Sequence, residues 1–427
     1  MMMNIINIIP NRQYNRQSLF FEKRCAPVDC LQTETVYTDF YFFHSFSFEE
    51  VVMINVSQVD IHDRKQVDRF IQFHYDLYRG CKQWVPPFRS DIRTMMDPKK
   101  HPYYEHSDAE FFIAERDGKV VARIAAMENK PFNEYHNTKK MQFYLFDSID
   151  DIEAARAVFE KAFEWGRARG LTEISGPKGF SGFDGYGIQV EGYEYRQMMI
   201  MMNYNYPYYV RLMDELGFVR ENDFVSCYIQ PDKFLLPEKV VRAAELVKKR
   251  GTFVVKDFKN RKELLSWADK IGQAYNKTFV NNWEYYPLTD REIKFAVDGA
   301  LQVADPRLIK IILYGDEVVG FLFAFPDVSA ALQRHDGRIT PFSLIDLLLE
   351  MRRTRWVSLN GVGILPEYHG RGGNALLYYE MKKTVNDFNF LHAEETQMAD
   401  TAVQVRKDME TLGAKVYKVH RIFHRHL

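Results

Sequence analysis

The chain is short of the patterns that announce several common functions. Its 427 residues include four cysteines, Cys25, Cys30, Cys81 and Cys227, none in a C-x-x-C pair, and this scatter reads as reduced thiols of a cytoplasmic protein. There is no H-E-x-x-H and no cysteine cluster, so no metal site is expected. No apolar run is long enough to cross a bilayer. An excess of charge of one sign is missing too: 57 Lys and Arg against 58 Asp and Glu leave a net charge of -1. A phosphate-backbone binder carries a basic excess or stripe, so no nucleic-acid partner is expected. What remains, 46% hydrophobic and 27% charged residues, is the make-up of a globular protein with room for two or three domains.

Residues 1–52 do not read like the rest. They show no helical or strand period and lack the basic start, apolar centre and cleavage site of a secretory signal. From Met53 the text becomes a strand followed by a capped amphipathic helix, with Val67, Phe70, Ile71, Phe73 and Tyr75 as inward positions. Met53 is therefore expected to be the native start and residues 1–52 a non-native or disordered extension. The alternative is an N-terminal arm packed on the body.

Two hairpins set the plan of the body. Residues 110–127 are two apolar runs around Asp117-Gly118, and residues 310–325 repeat the shape around Gly315-Asp316. After an insertion, each is followed by a strand (MQFYLFDS or WVSLNGVGIL), a long helix (152–169 or 375–386) and a strand (LTEISGP or LHAEETQ). A helix ending in Leu-Gly (208–216 or 403–412) and a last strand (SCYIQ or VYKVHRIF) complete each copy. One supersecondary plan used twice implies a tandem repeat of one fold, with domains over 53–232 and 233–427.

The chemistry concentrates in residues 356–383, WVSLNGVGILPEYHGRGGNALLYYEMKK. The strand breaks at Pro366 into His369-Gly370-Arg371-Gly372-Gly373-Asn374, which runs straight into an amphipathic helix from about Ala375. First-turn amides lack intrahelical acceptors, the helix dipole adds positive charge, and glycines permit close approach, so such a corner is an anion site. Arg371 can add a charge-assisted contact. The spacing fits neither a Walker loop nor a dinucleotide fingerprint. A plain glycine turn without a ligand is the bland alternative. The same corner of the first copy reads Asp147-Ser148-Ile149-Asp150-Asp151-Ile152-Glu153. Its acids would repel a diphosphate and suit a helix that caps itself, with Ser148 or Asp150 as the expected cap. Only the second copy is expected to bind an anion.

The loop resembles motif A of the GNAT superfamily of acyl-CoA-dependent N-acyltransferases. His369 stands at its cationic position, Gly372 at the central glycine, and Asn374, beside Ala375, at the last small position. The doubled order of elements resembles the tandem GNAT architecture of N-myristoyltransferases and Fem-type aminoacyltransferases. Stretches such as YRGCKQWVPPFRSD, SGPKGFSGFDGYGIQVEGY and NYNYPYYVRLMDELGF resemble uncharacterised bacterial tandem GNAT proteins from about Met53 onward.

The resemblance implies an α/β (α+β) fold of two mixed twisted sheets with flanking helices. It implies acetyl-CoA or another acyl-CoA as substrate, held by Val362, Gly363, Ile364, His369, Gly370, Arg371, Gly372, Gly373, Asn374 and Ala375. The acceptor would be a small-molecule amine in the cleft between the copies. In the family a backbone amide of the preceding strand holds the thioester carbonyl, here near residues 360–364, where Gly361 and Gly363 would let the strand splay. On the next strand, alternation sends His392 and Glu394 to one face and Glu395 to the other. The family's acid is a tyrosine before Leu-Gly, but Met409 stands there, and Met213 in the first copy. Tyr417, Tyr208 and Tyr209 are possible substitutes; Glu394, Glu395 and Tyr417 are taken as catalytic candidates.

Three further stretches bear on the acceptor. The glycine-rich loop 176–192, with Lys178, Asp184 and Glu191, suits a substrate-side wall or an irregular connection. The Met run 198–202 suits core or an adaptable lining for a long acyl chain. The proline-aromatic stretches 84–88 and 101–106 suit a packed surface loop or one wall of a cleft. The cluster His420, His424 and His426 reads as a basic tail rather than a ligand set. Two other functional classes stay open: a GNAT pair kept as a ligand sensor or scaffold, favoured by Met409 and Met213, and Fem-type aminoacyl transfer from tRNA, disfavoured by the charge.

Overall fold

Both expected hairpins form on turns whose residues sit at positive φ, Asp117 and Gly118 in the first and Gly315 in the second, the conformation that matches the twist of the flanking strands. The computed structural model describes residues 53–199, 202–280, 282–300 and 303–427. The expectations for residues 1–52, and for Ile200 and Met201 of the Met run, lie outside these. The first copy runs β1 (Asn55–Gln58), α1 (Arg64–Leu77), α2 (Arg89–Met95), β2 (Asp108–Arg116), β3 (Lys119–Glu128), α3 (Lys130–His136), β4 (Lys140–Ser148), α4 (Ile152–Ala168), β5 (Glu173–Gly176), β6 (Ile188–Glu191), α5 (Tyr208–Glu215) and β7 (Val219–Ile229). The second runs α6 (Glu238–Arg250), β8 (Val254–Lys256), α7 (Arg261–Leu265), α8 (Ala268–Thr278), α9 (Asp290–Ala300), β9 (Ile309–Tyr314), β10 (Glu317–Pro326), α10 (Ser329–His335), α11 (Pro341–Arg353), β11 (Trp356–Ile364), α12 (Gly373–Asp387), β12 (His392–Ala399), α13 (Val403–Thr411) and β13 (Lys415–His426). Asp63 caps α1 by accepting from Lys65 N, and all five expected inward residues of that helix are buried.

The two copies' sheets are joined into one 13-stranded sheet in the order β1-β2-β3-β4-β5-β13-β7-β12-β11-β10-β9-β8, with β6 also on β13. The final strands are exchanged. β13, at the end of the second copy, fills the place beside β5 of the first, while β7, at the end of the first, pairs with β12 of the second. β7 and β13 pair with each other from Lys415 opposite Tyr228 to His424 opposite Val219. Residues 53–427 accordingly fall within one compact unit.

This exchange corrects the reading of the C-terminal histidines as a tail. β5 presents an open edge, so β13 continues through His424 opposite Ser175 and His426 opposite Glu173. His424 Nε2 lies 3.1 Å from Glu173 Oε2, and His420 is buried with Nε2 2.8 Å from the carbonyl of Asn203.

Apolar clusters cover the sheet on both sides. In the first copy α4 and α5 close one core around Phe143, Phe159 and Phe163, and Phe423 from β13 belongs to it. α1 and α2 close another around Phe70, Tyr78 and Phe111. In the second copy α12 packs with α6 over Ile312, Leu376 and Leu377, while α8, α10 and α11 cover Phe321 and Phe325. That last cluster takes in Val85 and Phe88 from the first copy. Among the described residues no helix is long and apolar enough to cross a membrane.

Because Phe423 is only 2% exposed and sits in the first copy's core, Phe423→Ala is expected to cost about 3–5 kcal/mol. Since β13 ties both copies, the loss should lower a single transition, with circular dichroism and tryptophan fluorescence giving coincident urea curves.

Candidate active site

Between the copies lies an apolar cavity of about 610 Å³, within the roughly 300–1,000 Å³ of small-molecule sites. The proline-aromatic stretches and the glycine-rich loop meet here: Trp84, Pro87, His101 and Pro102 line it, as do Phe180, Phe183 and Asp184. So do Met199 and Met202 of the Met run. Residues 84–88 and His101-Pro102 take the cleft-wall alternative, while Tyr103 packs into the first copy's core. The second copy supplies Tyr275 from α8, Phe323 and Phe325 from β10 and Asn360 from β11.

A few polar groups converge on this apolar space. Asp184 Oδ2 accepts from the Ser181 amide at 2.8 Å and its hydroxyl at 3.3 Å; burial nevertheless lifts the carboxyl to about 6. Its backbone carbonyl lies 3.5 Å from Gln397 Nε2 on β12, so the loop reaches the second copy's strands. Asn360 donates from Nδ2 to Thr396 Oγ1 at 3.3 Å, while its Oδ1 is buried without a partner. An orphaned acceptor at a cavity wall is a group waiting for a donor.

A cluster that the sequence did not disclose lies on the first copy's side. His74 Nδ1 is 2.8 Å from Asp147 Oδ2, Arg123 Nε is 2.7 Å from the same oxygen, and Tyr209 Oη is 3.2 Å from Oδ1. All four line the cavity. Burial works to raise the Asp147 carboxyl, but the facing charges of His74 and Arg123 carry it below its usual range. Burial lowers the His74 imidazole against the pull of Asp147. His74 and Asp147 are far apart in the chain, and a lone histidine on an apolar helix face gives no signal.

The second copy's corner has the features an anion needs. β11 pairs with β12 in parallel from Trp356 opposite His392 to Leu359 opposite Glu395, and the pairing stops there; residues 360–364 go on alone against β10. Gly361, at φ 152, lies where the two strands part, a conformation other residues rarely adopt. Gly372, at φ 85, opens α12, and no side chain caps the helix. The helix's first bond runs from Leu376 N to Gly372 O at 3.1 Å, leaving the amides of Gly373, Asn374 and Ala375 to other acceptors. Arg371 is exposed, its guanidinium 5.1 Å from the centroid of the Tyr368 ring. His369 straps the loop, with Nε2 2.9 Å from the carbonyl of Ile364. Asn374 is tied to α13 through Asp408 at 3.2 Å.

The first copy's corner is closed by its own carboxylate. Asp151 caps α4, accepting from Glu153 N at 2.9 Å and from Arg116 Nη2 at 2.5 Å. The expected caps, Ser148 and Asp150, are displaced because Asp151 is the residue with extended φ and ψ just before the helix; Asp150 pairs with Arg211 instead.

No protein-family model matches the chain. It is 22% identical over 373 residues to protein YghO of Escherichia coli K12, spanning 86% of this chain and 94% of that one. It is also 22% identical over 380 residues to the bacterial ceramide synthase of Caulobacter vibrioides, spanning 87% and 98%. A tandem GNAT protein from the clavulanic acid biosynthesis pathway superposes with a TM-score of 0.51 at 9% identity, over 88% of this chain and 98% of that structure. The chain has the tandem GNAT fold.

Within that fold the three catalytic candidates separate onto two faces of the sheet, Glu394 and Glu395 on β12 and Tyr417 on β13. Glu394 and Tyr417 share a side: the tyrosine hydroxyl donates to Glu394 Oε2, and Lys418 Nζ lies 2.9 Å from Oε1 and 3.0 Å from Oε2, with hydrogen-bond geometry to Oε2. This buried, charge-balanced unit is not among the cavity's lining residues. Glu395 faces the other way, opposite Cys227 of β7, whose neighbours include Met409 and Met398. Burial lifts its carboxyl to about 8. Glu395 thus shares a face with Cys227, which packs with Met409.

The Glu395 shift fixes a pH dependence. Between the ordinary 4.5 and about 8, the unfolded chain is ionised at this residue while the folded chain keeps its proton, so stability falls as pH rises through that window. Glu395→Gln is expected to flatten that part of the curve in urea titrations run at a series of pH values. Asp147→Asn would leave Arg123, 1% exposed, without its carboxylate, at an expected cost of about 3–5 kcal/mol in the same assay.

Proposed function

We propose that this protein is an acyl-CoA-dependent N-acyltransferase whose second copy holds the acyl donor and whose central cavity holds a long-chain amine as acceptor. The contrast between the two corners carries the proposal. One strand-to-helix turn keeps uncapped amides beside parted strands, and its counterpart is filled by Asp151. The diphosphate of the donor fits the first and is repelled by the second. The residues assigned to it are Gly370, Arg371, Gly372, Gly373, Asn374 and Ala375, with His369 shaping the loop and residues 362–364 of β11 facing the donor arm. The apolar cavity supports the acceptor class, as does the relative named a ceramide synthase, matched over 87% of this chain.

The chemistry assigned to the chain's own groups balances. The amine, as it attacks the thioester carbon, forms the C–N bond and surrenders a proton to the Asp184 carboxylate, a general base near neutrality that then releases it to solvent. Asn360 Oδ1 accepts an amine N–H and orients the nitrogen. As the C–S bond breaks, the leaving sulfur takes the proton of Glu395, which then regains one from solvent. Glu394, Tyr417 and Lys418 hold β12 in place between these groups.

Release of free thiol from an acyl-CoA is expected with long-chain primary amines and not with short polar ones. The rate should rise with pH through about 6, and Asp184→Asn should lower it by about 10²–10⁴ and remove that limb. A Cβ at Gly370 meets nothing within 4 Å, and aspartate tolerates its positive φ. Gly370→Asp therefore folds and sets a carboxylate in the corner; isothermal titration should show donor affinity weakened by about 10–100-fold. Wild-type protein that neither binds an acyl-CoA nor releases thiol with any amine would leave the ligand-sensor alternative.

A further inference from the structure

Helix α11 carries its polar groups on the wrong side for a helix at a water-exposed surface. Its two acids turn back toward α10: Arg334 lies 2.8 and 3.0 Å from the oxygens of Asp346 and 2.5 Å from Glu350, and His335 Nε2 is 2.9 Å from Asp346. Its outward side is apolar. Phe342 is 78% exposed, Ile345 57%, Leu348 55% and Leu344 46%, with Ile339 at 49% just before the helix. An amphipathic helix bordering water shows the opposite arrangement, and a contiguous apolar patch of this kind marks an interaction site. Among the described residues the unpaired charges at the end of the helix are basic, while Arg338 lies 3.9 Å from Asp336. Arg352 and Arg353 close the helix, and Arg338 and Arg355 stand exposed at its flanks. Among the described residues, neither Arg352, Arg353 nor Arg355 has a carboxylate partner.

We propose that α11 docks the protein peripherally on an anionic lipid bilayer. Phe342, Ile345 and Leu348 enter the boundary between headgroups and acyl chains, and Arg352, Arg353 and Arg355 meet lipid phosphates. Charge decides between this occupant and a second copy of the chain. In a two-fold pairing through this face the arginines would confront one another, because the helix's own acids are already taken by Arg334 and His335. The docking helix is also wired to the cavity: its inward Leu347 packs in the same cluster as Phe325 and Leu332, both of which line the cavity. The lipid surface thus lies on the outer side of a cavity wall, a short path for an apolar molecule leaving the bilayer.

Co-sedimentation with vesicles tests this without any acyl donor. The full chain is expected to sediment with mixed phosphatidylcholine and phosphatidylglycerol vesicles, not with phosphatidylcholine alone, and less as salt rises. Phe342→Ser with Ile345→Ser and Leu348→Ser, and separately Arg352→Glu with Arg353→Glu, should each reduce the bound fraction by about tenfold or more. These side chains are exposed, so the variants should keep the wild-type circular dichroism. Wild-type protein that stays in solution, or an apolar variant that sediments equally, overturns the proposal. So does a dimer in sedimentation equilibrium that the apolar variant dissolves, which would assign the face to a second copy. Protein inert toward acyl-CoA that still binds vesicles leaves the docking face standing, whereas an active enzyme indifferent to vesicles removes it alone.

Discussion

The exchange of β7 and β13 is the constraint on which the other features rest. Each copy lends its last strand to the other's sheet, and the two lent strands pair with one another from Lys415 to His424. A hydrogen-bonded ladder of that length fixes the copies at one angle and one register, because a slip of one residue would turn every side chain to the opposite face. The cavity has walls from both copies, and its volume is meaningful only if their separation is fixed. Glu394 and Glu395 are held in the same way: their opposite numbers, Tyr228 and Cys227, are on β7, a strand from the other copy.

The two corners differ in what satisfies their helix amides. A helix N-terminus has unsatisfied amides whatever its history, and something must satisfy them. In the first copy Asp151 does so from within, and Arg116 neutralises it. In the second copy glycines at φ 73 and 85 replace the capping acid, and the helix opens without a side-chain cap. The first copy has in turn acquired buried polar chemistry of its own in His74, Arg123 and Asp147, at the end of the strand that leads into its closed corner. Under the proposed function the acyl donor occupies the open corner and the acceptor the cavity that His74, Arg123 and Asp147 line.

Local signals in the sequence carried much of the fold. The Asp117-Gly118 and Gly315-Asp316 turns, the Leu-Gly helix ends and the glycine corner are each decided by a few neighbouring residues, and each was legible as such. The exchange was not, because VYKVHRIF has the same alternation whichever sheet receives it. The cap of α4 was misplaced by one position among adjacent acids, since which carboxylate caps depends on backbone angles rather than on residue type. The His74 and Asp147 pair, and the role of residues 84–88 as a cavity wall, arise from segments distant in the chain. The composition of the Gly176-to-Gly192 loop left it open between a substrate-side wall and an irregular connection, and its Phe180, Phe183 and Asp184 line the cavity.

The position of β13 also bears on how the molecule is made. The first copy's core contains Phe423, and Leu427 donates its backbone amide to Thr172 at 3.0 Å. The ribosome therefore delivers Phe423 about 200 residues after Phe218, the last of its partners in that core to be made before it. Until the second copy has left the exit tunnel, β5 keeps a bare edge and the apolar residues beneath it stay wet. Such a nascent chain invites pairing with strands of other polypeptides, and its yield in a cell should depend on whichever chaperone shields that gap.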